Sequence, residues 1–124
     1  MINTAISDRP AGMTITMHLC RGNFKSMWIA QGGYEPLRFA PKGKTVVLEL
    51  VTSKMGTLET KDHLKRRMNE AAKYLDLDQL CLSPQCCFAS TEEGNVLAES
   101  DQWAKLARIV EVANEVWGTH GANA

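Results

Sequence analysis

The feature that most constrains the fold is the segment at residues 45–51, Thr-Val-Val-Leu-Glu-Leu-Val. This nearly unbroken run of β-branched and aliphatic residues is typical of a strand buried on both faces of a parallel sheet. Glu49 interrupts the run, and two interpretations of it stay open. If Glu49 is buried, its carboxylate must be paired or bound to a metal. If it faces solvent, it has no special role.

Strand-like and helix-like patterns alternate along the rest of the chain. The strand-like segments are short and rich in β-branched or aliphatic residues, whereas the helix-like segments carry apolar residues at steps of three and four. In chain order the predictions are a strand at 13–17, a loop at 31–36, a strand at 45–51, a helix at 58–75, a strand at 77–83 and a helix at 100–117. This order predicts an α/β fold with about three parallel strands and flanking helices.

Length and charge exclude several classes of protein. With 124 residues, 44% of them hydrophobic and 23% charged, the chain is expected to form one domain over residues 1–118 with a polar tail at 119–124. The 14 Lys and Arg balance the 14 Asp and Glu, which argues against nucleic acid or an anionic membrane surface as a partner. No apolar run approaches the roughly 20 residues of a membrane span, and residues 1–10 do not resemble a signal peptide. A cytoplasmic location is therefore predicted.

Three residues are candidates for a metal site. His18 and Cys20 lie two positions apart where the predicted first strand ends. In an extended strand both side chains are on the same face, with about 6 to 7 Å between their Cα atoms. Imidazole and thiolate are both zinc ligands, and Cys86, which follows Pro84 at the end of a later predicted strand, is a third candidate. Sites in parallel α/β folds gather at the carboxyl ends of the strands, where all three residues are expected to fall.

Each candidate also has a purely structural interpretation. A lone His-x-Cys pair is a weak signal, because cysteine is often buried for packing alone. Cys81 sits inside an apolar pattern and is predicted to be a core residue. Cys87 is undecided between a spare ligand, an oxidisable neighbour of Cys86 and a tolerated small residue. Arg21 suits a substrate carboxylate and an ordinary ion pair equally well.

A series of longer motifs extends over nearly the whole chain. They are residues 16–23 (Thr-Met-His-Leu-Cys-Arg-Gly-Asn), 32–36 (Gly-Gly-Tyr-Glu-Pro), 37–39 (Leu-Arg-Phe), 41–44 (Pro-Lys-Gly-Lys), 50–54 (Leu-Val-Thr-Ser-Lys), 79–86 (Gln-Leu-Cys-Leu-Ser-Pro-Gln-Cys) and 88–91 (Phe-Ala-Ser-Thr). In sequence and order they resemble the C-terminal catalytic region of the cobalamin-independent methionine synthase family, specifically its short, single-barrel members. The resemblance implies a (β/α)₈ barrel, of which a chain of this length could supply about half.

The resemblance also implies a reaction and a ligand set. The family transfers a methyl group from a methyl-tetrahydrofolate to the sulfur of homocysteine, which gives methionine. His18 and Cys20 match the family's paired zinc ligands, and Cys86 matches its distal cysteine ligand. The implied cofactor is Zn²⁺, which lowers the pKa of the homocysteine thiol so that a thiolate attacks the methyl carbon.

The chain also departs from the family's pattern. Pro36 runs directly into Leu37, where the family has a further stretch that includes a strand with a glutamate zinc ligand. Cys87 stands where the family has glycine, and the half of the barrel upstream of the His-x-Cys strand is not part of this sequence. We therefore expect one ligand to be missing, with Glu49 or Cys87 as candidate substitutes. Unpaired strand edges are expected to favour self-association or a complementing barrel half.

Several hypotheses on function follow. The first is a zinc-dependent methyltransferase of methionine biosynthesis, with homocysteine and a methyl-tetrahydrofolate as ligands, that is incomplete as a lone chain. The alternatives are an inactive remnant, a zinc-binding α/β module without methyl transfer, and an α/β domain whose cysteines serve only in packing. Zinc content distinguishes the last hypothesis from the others, and a methyl-transfer assay distinguishes the first.

Overall fold

Two parallel strands and two α-helices alternate in the computed structural model, which describes residues 4, 7–13, 32–40, 42–89, 92 and 94–118. In chain order the elements are β1 (Val46–Val51), α1 (Lys61–Ala71), β2 (Leu80–Pro84) and α2 (Glu99–Trp117), with 3-10 turns at Glu35–Phe39 and Leu77–Gln79. The predicted α/β class is confirmed over these residues. Most of the predicted first strand, residues 14–17, and the predicted tail at 119–124 lie outside them. The described residues form a two-stranded sheet and not a barrel. The partial (β/α)₈ barrel therefore stays a prediction.

One face of the sheet packs against both helices. Leu48 and Val51 of β1 and Leu80 of β2 are 4%, 0% and 2% exposed. Full burial of such a side chain stabilises a fold by about 1.5 to 3 kcal/mol. The helices complete the core with Leu64, Met68 and Ala71 of α1 and Val112 of α2.

The opposite face of the sheet is more accessible. Val47 pairs with Cys81, and Glu49 pairs with Ser83. Because side chains alternate along a strand, these four residues share the face away from the core, and we call them the uncovered sheet face. A register shift between Glu49 and Val51 returns Val51 to the core face. Val47 is 53% exposed and Cys81 is exposed, whereas Glu49 and Ser83 are half-buried. The prediction that Cys81 is a core residue is therefore wrong: the segment is a strand, but Cys81 points away from the helices.

The helices begin and end at residues suited to those positions. Thr60 precedes α1, and its hydroxyl accepts a hydrogen bond from the His63 backbone N–H at 3.2 Å, as expected of an N-cap. Gly118 follows α2 with a φ of 78°, a conformation that favours glycine. Neither described helix combines the length and hydrophobicity that a membrane crossing requires.

Candidate functional site

The carboxyl ends of β1 and β2 meet at one edge of the sheet. Val51 pairs with Pro84, and the Gln85 backbone N–H donates to the Val51 carbonyl at 2.8 Å. The chain leaves the sheet here in two segments, residues 52–54 after β1 and 85–88 after β2, which we call the carboxyl-edge loops. Parallel α/β folds gather their sites at this edge. Cys86 was predicted to lie at such an edge, and it does.

Cys86 lies in the second loop and is half-buried. Ser53, which is 1% exposed, donates its hydroxyl to the backbone carbonyl of Cys86 at 2.6 Å. This hydrogen bond ties the second loop to the first. The neighbouring Cys87 is exposed, and none of the cysteines in the described part of the chain is in a disulfide.

Asn95 connects the two loops from the segment that precedes α2. Its Nδ2 donates to the carbonyls of Ser53 and Phe88, both at 2.7 Å. Only the amide nitrogen can donate to two carbonyls, so these contacts settle which way the amide points. Asn95 Oδ1 is buried, and no donor among the described residues bonds to it. The side chain is thus held in place for its two donated bonds.

A buried ion pair fixes the segment between β1 and α1. Lys105 of α2 is 0% exposed, and its ammonium donates to the Thr57 carbonyl at 2.7 Å and to Glu59 Oε2 at 3.0 Å. Glu59 Oε1 accepts a hydrogen bond from the Thr52 backbone N–H at 2.7 Å. Both carboxylate oxygens are therefore satisfied, as a buried charge pair requires. Through Glu59, α2 holds the start of the first carboxyl-edge loop.

Lys54 brings a positive charge to the same edge. The residue is 8% exposed, and its ammonium approaches Gln85 Oε1 at 3.5 Å. A contact of this length is a weak hydrogen bond, so the ammonium retains donor capacity for a further partner. An anionic group that reached this edge would find a cation beside Gln85, the residue before Cys86.

A cavity of about 450 Å³ lies beside β1 and α1 and reaches the carboxyl-edge loops. Its lining mixes both charges. Arg66 is exposed and contacts His63 Nδ1 at 3.0 Å, whereas Arg67 is engaged with Glu70 at 3.0 Å and with the Tyr34 hydroxyl at 3.1 Å. The loops contribute Thr52 and Gln85 to the wall. A small polar molecule in this cavity would therefore lie next to the loop that carries Cys86.

The described residues include only part of the predicted zinc site. His18, Cys20 and Arg21 lie outside the described residues. Glu49 lies in the middle of β1, in register with Ser83 of β2. Across the described ranges, no three His, Cys, Asp or Glu side chains are grouped so that they could hold a metal ion. Among the described residues, Cys86 and its neighbour Cys87 have the donor chemistry and the position that a zinc ligand at this edge requires.

The residues that hold the two loops were not predicted from the sequence. Asn95 falls in a segment that reads as a polar loop, and Lys105 lies within an amphipathic helix whose charged residues are expected to face solvent. Their partners are 42 and 46 residues away along the chain, Ser53 for Asn95 and Glu59 for Lys105. Contacts between residues so far apart along the chain are not indicated by any local sequence pattern. Ser53 and Lys54 belong to the motif at residues 50–54, but that motif does not indicate that either side chain is buried.

Comparison with known proteins places this arrangement in context. No protein-family model matches the chain. Two uncharacterised proteins of Bacillus subtilis, YxjH and YxjG, are 50% and 51% identical to it over 145 residues. These alignments cover 94% of this chain but 38% of each relative. The aligned span is longer than the 124 residues of the chain, so the relatives contain internal residues that the chain lacks.

A solved structure gives the comparison a fold. The chain is similar to a crystal structure of a candidate vitamin-B12-independent methionine synthase from Listeria monocytogenes, with 34% sequence identity and a TM-score of 0.71. The similarity covers 95% of this chain and 39% of that one. The chain therefore resembles, in sequence and in fold, about two fifths of a candidate vitamin-B12-independent methionine synthase.

Proposed function

We propose that the chain belongs to the cobalamin-independent methionine synthase family and carries part of its methyl-transfer site. The proposed reaction moves a methyl group from a methyl-tetrahydrofolate to the thiolate of homocysteine and forms methionine. The observation that supports this most strongly is the similarity, over 95% of the chain, to the Listeria candidate methionine synthase. Because the chain spans only 39% of that protein, we propose that it is incomplete as a lone chain.

We propose that a zinc ion is held by His18, Cys20 and Cys86. Glu49 and Cys87 are the candidates for a further ligand. Cys87 is exposed and adjacent to Cys86, whereas Glu49 is half-buried on the uncovered sheet face. A bound zinc ion would lower the pKa of the homocysteine thiol and make its thiolate available at neutral pH.

The chain's own residues would prepare the site in two ways. The Cys86 segment is held by its backbone, so its thiol is offered from a fixed loop at the carboxyl edge. Positive charge near this edge suits the carboxylate of an amino-acid substrate. Arg21 is our proposed contact for that carboxylate, and the buried Lys54 beside Gln85 adds to the positive charge of the same edge.

Zinc content of the purified chain tests the proposed ligand. We expect stoichiometric zinc in the wild-type chain and loss of most of it in Cys86→Ser. Cys81→Ser is the matched control, because it removes a thiol of the same strand-and-loop unit that lies on the uncovered sheet face. Equal zinc in Cys86→Ser and wild type would contradict the assignment of Cys86.

Activity requires a second measurement. We expect the chain alone to form little or no methionine from homocysteine and a methyl-tetrahydrofolate. Co-expression with the portion of YxjH that this chain does not cover is expected to restore turnover, and Cys86→Ser is expected to abolish that restored turnover. Zinc binding without methionine formation in the complemented sample would sink the proposed reaction.

That outcome would instead support a second candidate, a zinc-binding α/β module or inactive remnant. Two observations favour it. The chain spans 38% of the length of YxjH and YxjG, and it lacks internal residues that both relatives have. The zinc measurement and the complemented assay together distinguish the two candidates.

A further inference from the structure

The loop that carries Cys86 receives little support from regular secondary structure. β2 ends at Pro84, and residues 85–89 form bends and irregular backbone. The Gln85 N–H bond to Val51 extends the sheet by one step beyond Pro84. Beyond that step the position of the thiol depends on contacts made by side chains from elsewhere in the fold.

Ser53 provides the first of these contacts. Its hydroxyl donates to the carbonyl of Cys86 itself, at 2.6 Å, and the residue is 1% exposed. Breaking so short a hydrogen bond would leave a buried hydroxyl without a partner, which is unfavourable. The backbone of Cys86 is therefore attached to the loop after β1, across the edge of the sheet.

Asn95 provides the second contact and completes a closed arrangement. Its Nδ2 donates at 2.7 Å both to the carbonyl of Ser53 and to that of Phe88, two positions beyond Cys86. The Asn95 amide thus bonds both to Ser53, which bonds to Cys86, and to Phe88, at the other end of the Cys86 segment. Within the described part of the chain, Oδ1 of this amide has no hydrogen-bond donor. The two donated bonds account for an amide at this position.

The arrangement stands on a rigid support. Thr52, directly before Ser53, is held through its backbone N–H by Glu59, which Lys105 holds in turn. Lys105 belongs to α2, the helix that Asn95 precedes by a few residues. Both contacts that hold the Cys86 segment are therefore connected to α2, so the backbone of this segment is tied to α2 as well as to the sheet.

We propose that Ser53 and Asn95 are positioning residues that fix the Cys86 thiol for metal binding. The inference rests on the proposed function, in which Cys86 is a ligand of a zinc ion. Groups that orient a metal ligand without touching the metal typically change metal affinity about tenfold to a hundredfold when they are replaced. Neither residue needs to contact the ion for this effect.

Two substitutions test the proposal in the full chain. Asn95→Asp preserves the shape of the side chain but removes both N–H donors, and Ser53→Ala removes the hydroxyl with little change in volume. Asn69→Asp, on the exposed surface of α1, is the matched control for the added charge. Circular dichroism establishes that each variant is folded, and Ser53→Ala supplies the answer if Asn95→Asp fails to fold.

The first readout is the rate at which iodoacetamide alkylates each thiol of the metal-free chain at one fixed pH. Tandem mass spectrometry assigns the label among the four cysteines, and the rates at Cys81, Cys86 and Cys87 are compared. We expect alkylation of Cys86 to rise severalfold in both variants, with that of Cys81 unchanged. An unchanged rate at Cys86 overturns the proposal. A parallel rise at all three thiols also overturns it, because that result indicates general loosening of the fold.

The second readout is zinc affinity, measured by competition with a chromogenic chelator. We expect it to fall about tenfold to a hundredfold in Ser53→Ala and Asn95→Asp and to stay at the wild-type value in Asn69→Asp. Zinc affinity equal to wild type in both variants overturns the proposed role. If the wild-type chain binds no zinc, the proposed function fails, whereas the alkylation rates still decide whether Ser53 and Asn95 fix the thiol.

Discussion

The Lys105 and Glu59 side chains show how one residue pair organises this small fold. Lys105 is completely buried and Glu59 is 14% exposed, with 3.0 Å between ammonium and carboxylate. Breaking such a pair leaves a buried charge without its partner, which costs far more than the pair contributes when both partners are present. The pair also holds Thr52 and the segment before α1, so its loss would reach the carboxyl-edge loops.

We predict that Lys105→Met lowers the free energy of unfolding by about 3 to 5 kcal/mol, because the Glu59 carboxylate is left buried without its counter-ion. Urea denaturation followed by circular dichroism measures this change. Lys61→Met is the control, since Lys61 forms its ion pair with Glu115 at the surface and should change stability little. A loss of similar size in both variants would show that burial of the Lys105 pair has no special importance.

At the scale of elements, the two helices are joined by a surface cluster at their contact. Lys61 and Lys65 of α1 both form ion pairs with Glu115 of α2. The hydrogen bond from Lys61, followed by that from Lys65, lowers the pKa of Glu115 to about 2. The same contact raises the pKa of Lys61. The cluster therefore keeps its charges over a wide range of pH.

This cluster predicts a dependence of stability on pH. Glu115 has a lower pKa in the folded chain than its ordinary value of 4.5, so the unfolded chain binds more protons between pH 4.5 and about 2. Its stabilising contribution is present above pH 4.5 and is lost as the pH falls towards 2. Urea midpoints of wild type and Glu115→Gln should therefore differ at pH 7 and converge as the pH is lowered. A difference that stayed constant over this range would contradict the assignment.

Elements were more predictable than contacts. The spacing of Leu64 and Met68 and the composition of residues 45–51 are local signals, and both predicted structures formed, α1 and β1. The side of a strand that faces the core is not local information. Cys81 was placed in the core because its neighbours are apolar, but the pairing of Cys81 with Val47 puts it on the other face.

The candidate site was predictable to a similar limit. A motif could indicate Cys86, since cysteine near the end of a strand suggests metal chemistry. It could not indicate that Ser53 and Asn95 hold the Cys86 segment. Those contacts join positions 33 and 42 residues apart, and the pairing of β1 with β2 and the path of the chain into α2 bring them together.

At the scale of the whole molecule, the uncovered sheet face leaves apolar surface exposed in the described part of the chain. Val47 is 53% exposed although it lies in a strand of β-branched and aliphatic residues. Apolar strand surface of this kind tends to be covered by another chain or by a further part of the same protein. The relatives YxjH and YxjG are longer than this chain and could supply such a cover.

We predict that the lone chain self-associates through this face and that Val47→Thr weakens the association. Threonine keeps the branched shape that suits a strand but is less hydrophobic. Sedimentation velocity over a range of protein concentrations measures the effect. Val110→Thr is the matched control, because Val110 is 59% exposed but lies on α2. If the two variants associate equally strongly, or if the wild type stays monomeric at high concentration, the chain does not self-associate through this face.

Cys81 gives the uncovered sheet face a built-in chemical label. Its exposed thiol pairs in register with Val47, so the rate of its maleimide labelling, separated from that of the other cysteines by mass spectrometry, reports on that patch without any engineered cysteine. Protection of Cys81 when a complementing segment is added would map where that segment lands. Cys81 is thus a position from which assembly of the molecule can be followed in solution.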